Sequence, residues 1–170
     1  MVVQSLRLLR RLFLHFFRIM ESLDWKCSGV DSYYVYVKST SLSGDLLENL
    51  YRKGKESPTG RARLCMHDNP ADGLNFMVIY HDERTIVPIH RHSPHGEHIV
   101  LKEGELELIL FDSELSVSSS CKMSQKHGGD FGCFTPPNVW HTLKFSKPTI
   151  FFEISKGPFD GKITQFATFP

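Results

Sequence analysis

Histidine, carboxylate and arginine side chains gather in three short stretches of this chain, and their spacing is that of a metal centre beside an anion-binding surface. His90 and His92 are two residues apart, so on an extended strand both imidazoles leave one face, about 7 Å apart along the chain and near enough to share an ion. Glu97 follows a short turn containing Pro94 and Gly96 that can fold a carboxylate back toward them. Later, Pro136-Pro137-Asn138-Val139-Trp140-His141 delivers a further imidazole from the start of another strand. Three nitrogens and one oxygen with positions left open suit Fe(II), Mn(II), Zn(II), Ni(II) or Co(II) and do not choose among them. The competing explanation is chance, since nine histidines are scattered along the chain. The restricted backbone at Pro88 and Pro94 and the hard oxygen of Glu97 favour the metal.

The stretch Arg61-Ala62-Arg63-Leu64-Cys65-Met66-His67 alternates strictly, so residues 61, 63, 65 and 67 share one face of a strand. An ordinary half-solvated strand explains the alternation. The functional reading puts Arg61 and Arg63 at a barrel mouth, their guanidinium forks binding a carboxylate, phosphate or polyhydroxylated anion. His67 is then the candidate proton-transfer residue rather than a ligand. Trp140 is open between core packing and a wall of the substrate pocket. Glu153 shares a face with Phe151, opposite Phe152 and Ile154, and is read as the polar member of an outward face, with an inward carboxylate as the rival. His95 belongs to a loop, His81 and His127 to ordinary surface positions, and His15 to the atypical N-terminus.

The elements that must position these residues are mostly strands. Candidates are 61–67, 74–81, 84–89, 97–102, 105–112, 115–122, 130–135, 141–146 and 149–155, with turns at Asn69-Pro70, Lys102-Glu103-Gly104, Gly128-Gly129 and Pro136-Pro137. That pattern is one of an antiparallel barrel or jelly roll. Tyr33–Val37 reads as an early strand at an edge or intersubunit contact. Leu46, Leu47 and Leu50 give a short helix one apolar face, with Ser43 as its cap and Gly54 as its stop.

A chain of 170 residues fits one domain with a sizeable core. The formal charge of +1 argues against nucleic-acid binding driven by a strong positive field. Four cysteines without a CxxC pair indicate a reducing, cytoplasmic setting. Residues 1–20 carry Arg7, Arg10, Arg11 and Arg18, with no acid, among many leucines and phenylalanines. No apolar run there is long enough to span a bilayer. A helix over residues 4–21 is expected to make at most a peripheral membrane contact or cover an apolar surface, and translation beginning at Met20 is an equal alternative. No Walker loop, Rossmann fingerprint, nucleophile elbow, EF-hand or zinc finger is present.

His90, His92, Glu97 and Gly104, followed by Pro136 and His141, resemble the two motifs of the cupin superfamily. Asp130 stands where the second motif begins with glycine, Asn138 where glycine precedes the histidine, and Phe145 where asparagine is common. Arg61–His67, Pro88–His92, Glu103–Leu106, Pro136–Leu143 and Gly157–Asp160 more closely resemble the WbuC family of cupin-fold metalloproteins, over about residues 42–170. This resemblance implies an all-β cupin double-stranded β-helix, a jelly-roll barrel with a short helical N-terminal region. It divides the chain into an N-terminal extension, 1–35, and a single cupin domain, 36–170. It further implies a divalent metal held by His90, His92, Glu97 and His141, a homodimer, and an anionic or sugar-like ligand. The implied role is isomerase- or epimerase-like work on a sugar intermediate of surface polysaccharide (O-antigen) biosynthesis. A non-haem iron oxygenase and a non-catalytic sugar-binding or regulatory cupin are the alternatives.

Overall fold

A computed structural model describes residues 25–27, 32–35, 42–158 and 160–168. In chain order these form β1 (Trp25–Cys27), β2 (Ser32–Val35), α1 (Gly44–Glu56), β3 (Arg61–Cys65), β4 (Leu74–His81), β5 (His90–His92), β6 (Glu97–Glu103), β7 (Glu105–Phe111), β8 (Val117–Ser124), β9 (Gly132–Thr135), β10 (Trp140–Phe145), β11 (Thr149–Lys156) and, after a single 3-10 turn, β12 (Thr164–Phe166). The expected N-terminal helix over 4–21 lies outside the described residues.

The strands make two sheets, in the orders β1-β2-β3-β4-β11-β6-β9 and β12-β5-β10-β7-β8. All pairings between these strands are antiparallel except β2 with β3, which seats β2 inside the first sheet with β1 outside it. Between the sheets lies an apolar core of Cys65, Met77, Ile79, Ile99, Leu101 and Phe151 from the larger one and Leu106, Leu108, Met123, Leu143 and Phe145 from the smaller. The period of two in each strand produces this segregation. Leu64, Val78, Tyr80 and Ile150 point the other way, into a second apolar cluster with Leu46 and Leu50 of α1. Strands β3, β4 and β11 are therefore covered on both faces.

The expected closed jelly roll is not formed. No continuous ladder joins the two sheets among the described residues; an isolated bridge, Met123 to Asp130, is the contact at one side. Among the described residues both sheets keep open edges, and on edge strand β8 Ser118, Ser119 and Ser120 face solvent, as polar edge strands do. One reason is local. Residues 84–89 alternate like a strand but pair with nothing in a ladder. Asp82 turns the chain there, its carboxylate accepting from Arg84 N at 3.0 Å and its carbonyl from Thr85 N at 2.9 Å. Pro88 then removes a donor that a ladder would need.

Helix α1 begins where expected, with Ser43 Oγ accepting from Leu46 N at 3.4 Å. Gly54 does not stop it: the helix continues to Glu56, and Gly54 is a contact residue whose missing side chain makes room for the Tyr80 ring.

Candidate metal centre

Strands β5 and β10 lie side by side in the smaller sheet, with His90 directly opposite His141. His90, His92 and His141 thus share the inner face, and Glu97, the first residue of β6, faces them from the larger sheet. The ligand atoms of all four lie within 4.8 Å of one another. Glu97 and His141 are 5 % and 1 % exposed, so the charge sits inside the fold.

Each imidazole is oriented from behind. His90 Nδ1 lies 2.8 Å from Pro88 O, His141 Nδ1 3.0 Å from Val139 O and His92 Nδ1 3.0 Å from Thr164 Oγ1. For His90 and His141 the outer carbonyl requires an N–H on Nδ1, which turns the Nε2 lone pair inward. The inner atoms then meet an acceptor: His141 Nε2 is 3.1 Å from Glu97 Oε1, and His92 Nε2 is 3.3 Å from Glu97 Oε2. A neutral imidazole carries only one N–H. His141, held between two acceptors, requires a positive charge at its inner nitrogen, supplied by a second proton or by a metal ion. The four residues form a divalent-metal site, with the identity of the ion left open by the donor set.

The local charges agree. Burial opposes ionisation of Glu97, but hydrogen bonds from His141 and His92 outweigh it and hold the carboxyl well below its usual range. Burial works against charging His92, and the Glu97 carboxylate overcomes that and raises it. His90 is pushed down to about 4 by burial and then by the neighbouring His141. It stays neutral, as a ligand must.

On the larger sheet, the pairings of β11 with β6 and β4 align Glu97 with Ser155 and Asn75, and the β6–β9 pairing adds Thr135. All four share the inner face. The β3–β4 register ends at Cys65 and Met77, with one further bond, Met66 N to Phe76 O at 2.8 Å, and His67 follows outside the ladder with its ring turned to the Phe76 backbone. It lies past the end of β3, its Nδ1 3.2 Å from Phe76 N, three strands from Glu97, or about 14 Å across the sheet. Arg63 and Arg61 lie on the inner face of β3, progressively farther from the Glu97 row. Arg63 Nε is buried without a hydrogen-bond partner.

Trp140 lies on the opposite face of β10 from His141, with the Arg91 guanidinium 4.4 Å from its ring centre. Glu153, read as outward, faces inward beside Ile99 and Met77. Burial, then the Glu97 charge, raises it to about 7 against the pull of Arg63, His92 and His141. Both faces of β11 are covered, so alternation alone did not reveal which one held the core. His81 is likewise not a surface residue. It ends β4 between Arg61 and Thr149 in the register and is packed edge-on to Phe145 and Phe151. Thr164 was absent from the expected set because a three-residue strand leaves little periodic signal.

A family model described as a domain of unknown function, DUF6016, matches residues 42–123, just short of half the chain. No curated protein matches. Among solved structures, protein SO0799 from Shewanella oneidensis superposes with a TM-score of 0.54 at 8% identity, over 65% of this chain and 75% of that one. A cupin 2 conserved barrel domain protein from Rhodopseudomonas palustris gives 0.47 at 18% identity, over 64% and 67%. Oxalate decarboxylase from Lactobacillus farciminis gives 0.44 at 14%, over 56% of this chain and 27% of that longer protein. At these identities the likeness, that to SO0799, is one of fold alone. It goes no further: no WbuC relative is found, and nothing ties the chain to polysaccharide biosynthesis or isomerase chemistry, so those expectations are withdrawn. No helix among the described residues is long and apolar enough to cross a membrane.

Proposed function

We propose that this chain is a metal-dependent enzyme that takes a small anionic, oxygen-rich molecule between its two sheets. The observation that carries the proposal is the inward convergence of three oriented imidazoles and one buried carboxylate in a space that also holds Arg63 and Glu153. A divalent ion in that set supplies Lewis-acid polarisation of an oxygen ligand. Arg63 binds the anionic group, its unpartnered buried Nε being a donor in need of an acceptor. Glu153, poised to about 7, accepts or returns a proton near neutral pH. Arg61 contributes from the far side of the same face, and His67, just past the end of β3, is an alternative proton carrier. A reducing, cytoplasmic setting belongs to the same proposal and is supported by the free thiols Cys121 and Cys133.

The test uses protein loaded with Co(II), whose visible absorption reports its ligands. Glycolate, oxalate, citrate and glucuronate are titrated against the wild type and Arg63→Ala. At least one should change the spectrum of the wild type and bind about tenfold or more weakly to Arg63→Ala, as loss of a charged hydrogen bond implies. Absence of any spectral change across the panel refutes the anionic-ligand reading. Binding with no turnover of any anion, equal in the wild type and Glu153→Gln, would make the protein a binding module.

A further inference from the structure

Strand β5 is only three residues long yet carries two of the four metal ligands. Toward β10 it has a single register pair, His90 with His141. Its other side is fully occupied by the end of the chain: Thr164 pairs with His92, Gln165 with Arg91 and Phe166 with His90. Two backbone bonds flank this ladder, Ser93 N to Ile163 O at 3.0 Å and Ala167 N to Ile89 O at 2.9 Å. Side chains follow the same line. Arg91 Nε donates to Gln165 Oε1 at 2.9 Å, and the Phe166 ring lies 6.1 Å from that of His90. The preceding turn is fixed by Asp160, whose Oδ1 accepts from Lys162 N at 2.9 Å. Thr164 Oγ1 meets His92 Nδ1 at 3.0 Å.

We propose that β12 is a working part of the metal centre: Thr164 is a positioning residue for His92, and docking of residues 161–167 onto β5 sets the affinity of the site for its ion. The proposal rests on the four-residue metal centre and says nothing about substrate. On the β10 side β5 has the His90–His141 pair and one further bond, Asn138 N to His92 O at 2.8 Å, against three register pairs and two flanking bonds on the β12 side, and outer partners of ligating histidines govern both ring orientation and affinity. By linkage the coupling is reciprocal, so ion binding must tighten the docking of β12 by the same factor that docking tightens the ion.

The test is Zn(II) affinity by competition with a chromogenic chelator, on full-length wild type, Thr164→Val, Thr164→Ser and Ala167→Pro. Co(II) absorption spectra and hydrogen exchange of Ser93 and residues 160–168 with and without Zn(II) accompany it. Thr164→Val removes only the hydroxyl and should bind Zn(II) about tenfold more weakly, with an altered Co(II) spectrum that Thr164→Ser restores. Ala167→Pro deletes the backbone donor to Ile89 and should weaken binding without touching a ligand. Zn(II) should slow exchange of the Ala167 and Ser93 amides in the wild type. Wild-type affinity in both Thr164→Val and Ala167→Pro, with exchange indifferent to Zn(II), overturns the proposal while leaving the metal centre standing. Absence of Zn(II) binding by the wild type overturns the metal centre itself, and the proposal with it.

Discussion

His81 offers a quantitative test of the core around the site. Its side chain is 6 % exposed, edge-on to Phe145 at 4.8 Å and Phe151 at 5.4 Å, and its Nδ1 has no hydrogen-bond partner. Burial, then Arg63 and Arg61, lowers it to about 3 against a weaker opposing pull from Asp82. Once unfolded, the imidazole regains a value of about 6.5. A base whose folded value is depressed contributes its full stability above about 6.5 and loses it as pH falls toward the folded value, because only the unfolded chain takes up the proton. Between pH 7 and pH 5 that is about 1.5 units of titration, or roughly 2 kcal/mol at ~1.4 kcal/mol per unit. Urea unfolding of the wild type and His81→Leu at both pH values measures it, since the other titrating groups cancel in the difference. The wild type should lose about 2 kcal/mol more than His81→Leu over that interval. Equal losses would show that His81 is solvated or charged in the folded protein, and would refute the reasoning.

Two further outcomes are expected. The raised His92 holds a proton beside Glu97, and this pair stabilises the metal-free protein below about pH 6.5, an advantage lost as pH rises through the raised folded value. Co(II) must displace that proton, so the rise in melting temperature on adding Co(II) should be larger at pH 8 than at pH 6; the reverse order in a thermal scan would sink the assignment of His92 as a ligand. Gly54→Ala places a methyl group in the Tyr80 ring and should cost about 1–3 kcal/mol in a denaturant titration. Gly44→Ala on the same helix meets nothing within 4 Å and serves as the near-neutral control.

Much of the centre was readable because two rules carry it. Alternation puts His90 and His92 on one face, and a Pro/Gly turn returns Glu97 toward them. The same rule runs against the expected place of Trp140 in the core or the pocket wall, since the neighbour of an inward His141 on a strand points out. Glu153 was misassigned because alternation tells which residues share a face and not which face meets the core, and β11 is covered on both. His81 was missed for a related reason: it ends its strand and is followed by Asp82, Glu83 and Arg84, so its local composition looks polar while its packing is aromatic. Sheet closure depends on pairing between distant segments, and residues 84–89 show how an alternating stretch loses its ladder to one aspartate turn and a proline. Strand β12 is legible only in its pairing with the edge of β5, a segment far from it in the chain.

The ligands are divided between the layers, with three imidazoles on the five-stranded sheet and the carboxylate on the seven-stranded one. Apolar packing resists separation of the layers but, being non-directional, resists sliding poorly. An ion bound to both would act as a rivet against shear, at a place where no ladder locks one layer to the other. Losing it would loosen the whole sandwich rather than one pocket, and the lifetime of the folded protein would then follow the ion's residence time.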